Sequence, residues 1–444
     1  MSVLTRAIGL AKRVKHQFQD ELRRRTPVCL SPVRRIEQVA LHERVCAMTF
    51  DDGPCRLPAN PSKDGKPLTL HLAETLERFG AVGTFDIVGD TSQNYPDHPG
   101  KEGSASWGGV AYDHYPDFGR DADGGALHCP ELIRRLLDGG HELTSHTWAH
   151  VLYGPKPLVY GSRRPLKDLD AVVADLRKLD AHLREHYQYA IRLSRPPHYV
   201  DGTKDGFSAY DAHALLGYQY MAASFDGAGW LPLSTYEAEV EATWKPMAQK
   251  LAEDPDYFCG QIIFQKDGYN MARRSPVASG LAKQLELLTQ NGYRVVSVSQ
   301  LLALCPFLDT APEDALFAPA RALLDAGFCV VFRDNAIRPA TPLTRGALAM
   351  MLYGCKTPAA RIDLVRKQAA PCRDVSYRHP YAAAIAAALA SGAMDAPNGR
   401  FRPDAPVSQD MFAAACRVVF GKIPSSAAAP ATHADAIAQL AALL

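Results

Sequence analysis

Two carboxylates stand side by side at Asp51-Asp52, directly after the apolar run Val45-Cys46-Ala47-Met48-Thr49-Phe50 and directly before Gly53-Pro54. The run is long enough for one buried strand, and Gly-Pro ends it. Adjacent acids at a strand tip repel each other and lose hydration, a cost that a divalent cation offsets. Asp-Gly-Pro is equally ordinary turn chemistry, so this stretch alone leaves a metal site and a plain turn both open. A second stretch, Gly140-His141-Glu142-Leu143-Thr144-Ser145-His146-Thr147-Trp148-Ala149-His150, sets His146 and His150 four residues apart. On a helix that spacing puts both imidazoles on one face, a turn apart, within reach of one ion. With 15 histidines in 444 residues such pairs arise by chance. The chain contains another, His182-Leu183-Arg184-Glu185-His186.

Taken together the two stretches are specific. Thr49-Phe50-Asp51-Asp52-Gly53-Pro54 followed by Ser145-His146-Thr147-Trp148-Ala149-His150 closely resembles the polysaccharide deacetylases of carbohydrate esterase family 4, and the resemblance runs from Ile36 to Leu304. It implies an α/β fold built as a distorted (β/α) barrel. It also implies a divalent metal, in this family usually zinc, held by Asp52, His146 and His150, with Asp51 as general base. Arg195-Pro196-Pro197 matches the family's third motif, whose arginine pairs with the catalytic aspartate, while the prolines fix the backbone of a rigid wall. Pro197 and Tyr199 belong to the implied substrate wall. Ala222-Ala223-Ser224-Phe225-Asp226-Gly227-Ala228-Gly229-Trp230 matches the fourth motif with a departure, because Gly229 stands where the family has Asp before the tryptophan. Asp226 is then the carboxylate left to support Arg195, and Trp230 the ring left to line the acetyl pocket. Lys266 stands where the family carries a histidine as general acid. A lysine fills that role only with its pKa depressed, which burial and a nearby dication favour.

The implied activity is metal-dependent removal of N-acetyl or O-acetyl groups from an oligosaccharide or polysaccharide, weakened by the departures at Gly229 and Lys266. The alternative is an inactive deacetylase-like glycan-binding protein of the cell envelope. A third reading starts from His182-x-x-Glu185-His186, the spacing of the inverted zinc peptidases. It lacks a companion signature, and the resemblance puts an outer barrel helix there.

Composition narrows the setting. Charges nearly balance, 49 basic against 48 acidic, so nothing global favours nucleic acid or an anionic membrane. No apolar run approaches the roughly 18 residues of a membrane span. Ten cysteines are scattered with no Cys-x-x-Cys pair, which reads as buried free thiols; Cys55 is the one beside the Asp-Asp turn, and a bystander role is expected for it.

Around these residues the chain supplies positioning elements. Residues 1–35 are basic and weakly amphipathic, a helix through Arg25; its longest uncharged stretch, Ala7 to Ala11, is too short for the core of a secretory signal. The barrel is expected over 36–305. Leu68, Leu72, Leu76 and Phe79 have helical spacing up to Gly80, and Ala81–Gly89 reads as a strand, with Asp86 where the family has a second aromatic. Residues 90–127 form a long insertion in which Trp107, Tyr112, Tyr115 and Phe118 serve sugar stacking or simple packing. Pro130–Leu137 and Asp168–Tyr187 read as helices, the second with Leu169, Val172, Leu176, Leu179 and Leu183 as its apolar stripe. Leu281–Leu288 reads as another.

From Ala311 the composition turns to alanine, and two half-similar segments cover 312–423. Arg338-Pro339 and Arg402-Pro403 stand 64 residues apart, each followed by an apolar helix. Period and pattern resemble S-layer homology repeats, which imply a cell-wall polymer as partner and an envelope or extracellular location. A ligand-free helical accessory domain is the other reading of this smaller, mostly helical region. Residues 424–444 are an Ala-rich tail, a helix or a frayed end. With the barrel closing before Ala311, a chain ending near Leu304 is expected to fold alone.

Overall fold

The structure, a computed structural model, describes residues 29–60, 64–91, 123–154, 166–230, 232–270, 272, 274–426 and 428–444. The basic segment before Cys29 and the rings at 107, 112, 115 and 118 lie outside them.

The strand expected at Val45 is β2 (Val45–Asp51), buried at every residue. Full burial on both faces is what a continuous apolar run demands in a parallel sheet. Around it lie β1 (Arg35–Ile36), β5 (Thr84–Ile87), β6 (Glu142–Ser145), β7 (Leu193–Ser194), β8 (Gln219–Met221), β9 (Phe225–Asp226), β10 (Ile262–Lys266) and β11 (Arg294–Val296). They form a nine-stranded sheet in the order β1-β8-β7-β6-β5-β2-β10-β9, with β11 also on β2. Every pairing in it is parallel. β11 pairs with Val45–Ala47 and β5 with Thr49–Asp51, so two strands share one edge of β2. This is the distorted, curled barrel that the two motifs imply. A separate two-stranded hairpin, β3 (Pro58–Asn60) with β4 (Asp64–Pro67), follows the Asp-Asp turn.

Helices cover the outside of the sheet. They are α1 (Leu68–Arg78), α2 (Pro130–Asp138), α3 (Leu169–Tyr187), α4 (Ala209–Leu216), α5 (Tyr236–Glu253), α6 (Pro276–Gln290) and α7 (Val298–Leu304). The stripe Leu169, Val172, Leu176, Leu179 and Leu183 of α3 is wholly buried, and Asp168 caps the helix by accepting from Ala171 N at 2.8 Å. No helix of the described residues is long and apolar enough to cross a membrane.

The helical region that follows is internally repeated. The Asp309 carboxylate accepts from Ile337 N and Arg338 N, both at 2.8 Å. The Asp374 carboxylate accepts from Phe401 N and Arg402 N, both at 2.8 Å. Arg338 and Arg402 share left-handed φ, 52° and 56°. Each segment then enters a capped helix: Thr344 caps α9 (Arg345–Tyr353) and Ser408 caps α12 (Gln409–Phe420). Between and around them are α8 (Phe317–Asp325), α10 (Pro358–Lys367), α11 (Ala382–Ala390) and α13 (His433–Ala441). The first unit thus reaches back to Asp309, before the composition changes.

Of the two readings of the terminal segment, a helix or a frayed end, the structure shows the helix, and the expectation of a separately folding barrel is corrected. The terminal segment ends in a packed helix: the Thr432 and Asp435 side chains cap α13 reciprocally, and His433, Ala436, Ile437 and Leu440 are buried. The repeat region is also no detachable appendage. One apolar core joins Ile36, Met221, Ile262 and Leu301 of the barrel to Phe307, Val330, Leu348 and Ile385. Ser31 N donates to Val331 O at 3.1 Å, Arg35 N to Arg333 O at 2.7 Å and Ala40 N to Phe307 O at 2.8 Å. Leucines spaced on α7 cannot say which neighbour covers them, and the chain after Leu304 does so.

Candidate metal centre

Parallel register builds the centre. Lys266 of β10, Asp51 of β2, Asp86 of β5 and Thr144 of β6 are partners in one row across four adjacent strands. The row sits at the carboxyl ends of the strands, where loops of a parallel α/β sheet converge on a site. Asp52 follows in the left-handed region with φ 81°.

The His146–His150 segment is a loop beyond β6, not the helix on which the spacing was read. Thr147 and His150 have φ of 74° and 50°. For a β-branched threonine that conformation costs on the order of 1–3 kcal/mol, supplied by the surrounding contacts. Those contacts are specific: His146 N donates to Ile87 O at 2.9 Å, Asp90 N to Trp148 O at 2.6 Å and Trp148 N to Asp175 Oδ1 at 2.8 Å. The left-handed turns bring the imidazoles together by another route, with ring centroids 4.9 Å apart.

His146 Nε2 and His150 Nε2 each lie 3.2 Å from Asp52 Oδ1. All three side chains are buried and offer ligand atoms within a few ångströms of one another. Two imidazoles and one carboxylate, facing an open cleft, are a donor set that could hold a divalent ion and leave a position for water or substrate. The second such group among the described residues is Asp51, Asp86 and His146. His182, Glu185 and His186 are not among these groups; His186 and Glu185 are exposed on α3, and the His182 ring packs edge-on to Trp148. Cys55 is a buried free thiol outside both groups, its backbone N–H donating to Thr69 Oγ1 at 2.7 Å.

Arg195 occupies the centre of the charge balance. It is 1% exposed; its guanidinium donates to Asp51 Oδ1, to Thr49 Oγ1 at 3.0 Å and to Ala222 O at 3.1 Å. Burial pushes the Asp51 carboxyl up, against the pull of Arg195 and His146, to about 7. Burial disfavours a charged His146, yet Asp86 and Asp52 more than reverse this and raise it to about 10.

Three sequence expectations change. Asp226 does not support Arg195: its carboxylate accepts from Ala228 N at 2.8 Å and from the Trp230 indole at 3.1 Å. Gly229 cannot simply regain the family's aspartate, because a Cβ there would lie 2.3 Å from Val277 Cγ2. Pro197 is buried, and the cleft is lined instead by Pro196. Tyr199, Trp230 and Phe264 wall this cleft of about 360 Å³, whose floor is Asp51, Asp52, His146 and His150. Lys266 lies outside the lining, 1% exposed, with its ammonium on Asp52 Oδ2.

Two further residues enter from the structure. His198 lines the cleft with left-handed φ of 54°, its ring 5.5 Å from that of His150. Asp86 sits 2.7 Å from His146 Nδ1. The available signal for Asp86 was a lone acid inside a buried apolar strand, a rare placement unless the charge is paired. His198 carries no such signal.

Comparison with known proteins agrees with the motifs. The polysaccharide deacetylase family model matches residues 38–218, and the S-layer homology domain model matches residues 373–410. A peptidoglycan-N-acetylglucosamine deacetylase of Bacillus cereus is 24% identical over 267 residues, covering 60% of this chain and 91% of that protein. Among solved structures, the chitin deacetylase of Colletotrichum lindemuthianum is 19% identical, covering 65% of this chain and 96% of its own, with a TM-score of 0.40. A family pseudoenzyme from Bacillus anthracis is 12% identical, covering 62% and 70%, also with a TM-score of 0.40.

Proposed function

Residues 38–218 form a polysaccharide deacetylase domain and residues 373–410 an S-layer homology domain, and on that footing we propose a metal-dependent hydrolase that releases acetyl groups from an N-acetylated or O-acetylated glycan of the cell envelope. The observation that carries the reading is the convergence of Asp52 Oδ1 with two imidazole Nε2 atoms on the floor of an open cleft. Asp52, His146 and His150 would hold a divalent ion, most simply zinc. When bound, such an ion makes water acidic near neutrality and offsets negative charge on an attacked carbonyl oxygen.

This chain's own groups do the rest. Asp51, held by Arg195, accepts the proton of the attacking water. Arg195 is itself held by two further acceptors, Thr49 Oγ1 and Ala222 O, and so fixes the carboxylate's orientation. Tyr199, Trp230 and Phe264 offer apolar faces to the acetyl methyl and the sugar ring. Lys266 fixes Asp52 by its outer oxygen, leaving Oδ1 for both imidazoles. The same ammonium is the nearest counterpart of the family's acid, and donation from it to the departing amine requires it to leave Asp52. A slow enzyme is the expected consequence.

The S-layer homology domain supports a cell-wall polymer as the second partner and an envelope location. The test is acetate release by the zinc-loaded full chain from chitin-type and peptidoglycan-type oligosaccharides. Acetate from either supports the hydrolase. Tight binding of both without acetate would replace it by the glycan-binding reading.

A further inference from the structure

Asp86 is completely buried in β5, and its two oxygens have different surroundings. Oδ1 accepts from Thr144 Oγ1 at 2.6 Å. Among the described residues Oδ2 has no hydrogen bond of ordinary geometry, and it lies 2.7 Å from His146 Nδ1. The same Nδ1 lies 2.9 Å from Arg195 O. Two acceptors, one of them charged, therefore converge on a single ring nitrogen. In the neutral ring the proton is therefore stabilised at Nδ1, which leaves the lone pair on Nε2, the nitrogen that faces Asp52.

We propose that Asp86 is a positioning residue for the metal ligand His146, fixing its ring and tautomer and supplying negative charge that the centre otherwise lacks. The inference rests on the metal reading above. Asp51 is paired with Arg195, and Asp52 with Lys266, so each of these carboxylates is already offset by a cation. Among the described residues Asp86 has no ion-pair partner but the imidazole. The attraction for a dication that Lys266 removes from Asp52 is returned through Asp86. A carboxylate behind a ligating histidine also raises the ring's basicity.

The competing reading takes Asp51, Asp86 and His146 as a second ion site. The Arg195 guanidinium on Asp51 and the Arg195 carbonyl on Nδ1 already fill that space with partners, so Asp86 acts behind one ion and does not bind another.

The test is zinc affinity of the full chain, measured by competition with a chelator of known affinity. Asp86→Asn keeps the shape and removes the charge, and should bind zinc about 10- to 100-fold more weakly. Thr144→Val, which frees Oδ1, should weaken zinc in the same direction by less. A positioning role also predicts a shifted visible spectrum of cobalt-loaded Asp86→Asn, with the metal-free melting temperature kept. Zinc affinity of Asp86→Asn within about two-fold of wild type would overturn the inference. So would two zinc ions in wild type with one lost in the variant. If Asp86→Asn does not fold, unchanged affinity in Thr144→Val overturns it equally. A wild type that binds no zinc fails the metal reading itself, a result separate from all of these.

Discussion

Asp51 and Asp52 are neighbours with different surroundings, and the roles proposed for them follow from what each faces. Asp51 meets a buried guanidinium, whereas Asp52 meets two imidazoles and an ammonium. Asp51→Asn should therefore keep zinc at one per chain while acetate release falls by roughly 10²- to 10⁴-fold, the range of general-base catalysis. Metal analysis beside the assay checks this, and loss of zinc would move Asp51 among the ligands. At this scale the metal group was legible because two short motifs carried it. Asp226 was not: an acid near Trp230 can reach either Arg195 or the indole, and only the path of β9 decides. Lys266 was half legible, since its register beside Asp51 could be expected but its contact with Asp52 could not.

At the scale of elements, the 146–150 loop depends on a close approach between Trp148 and Gly89, two residues beyond β5. A Cβ on Gly89 would lie 2.3 Å from Trp148 Cε3. Gly89→Ala should therefore displace Trp148 and the histidines on either side of it. The expected result is a stability loss of about 1–3 kcal/mol, as for other overpacked cores, with weaker zinc binding measured alongside the melting temperature. Wild-type affinity in that variant would free the loop from Gly89. Helix α4 offers a pH prediction. His213 is fully buried, neither ring nitrogen is hydrogen-bonded among the described residues, and burial lowers it to about 3. The unfolded chain takes up this proton below its ordinary pKa of about 6.5, so stability is fully present above that pH and declines as pH falls toward 3. Between pH 7 and pH 5 the cost is about 2 kcal/mol, and denaturant unfolding of His213→Phe should show that much less pH dependence than wild type. The strands and α3 were legible because their apolar periods match their burial. The 146–150 turn was not, because four-residue spacing reads as a helix and left-handed threonine has no sequence mark.

At the scale of the whole molecule, the barrel and the repeats share a core. A chain ending at Leu304 would expose Met221, Ile262, Val298 and Leu301, all buried in the full chain. It should lose cooperative thermal unfolding, and a sharp transition at the wild-type temperature would restore the separable barrel that the sequence suggested. The repeats themselves were legible as a period of Arg-Pro pairs. Their seat against the barrel was not, because apolar residues on a helix record that a face is covered and not by what. Ion pairs Arg361–Asp211 and Arg366–Asp170 tie α10 to α4 and α3 across the same junction. Wall attachment through the repeats would then hold the cleft at a fixed orientation to the polymer.

The most direct measurement titrates zinc into the metal-free full chain and follows acetate release from an N-acetylated oligosaccharide in the same samples. The account predicts no release without metal, a rise in proportion to zinc and a plateau at one zinc per chain, absent in the His146→Ala, His150→Ala double variant. Acetate release that is already complete without zinc, or that the double variant retains, would contradict it.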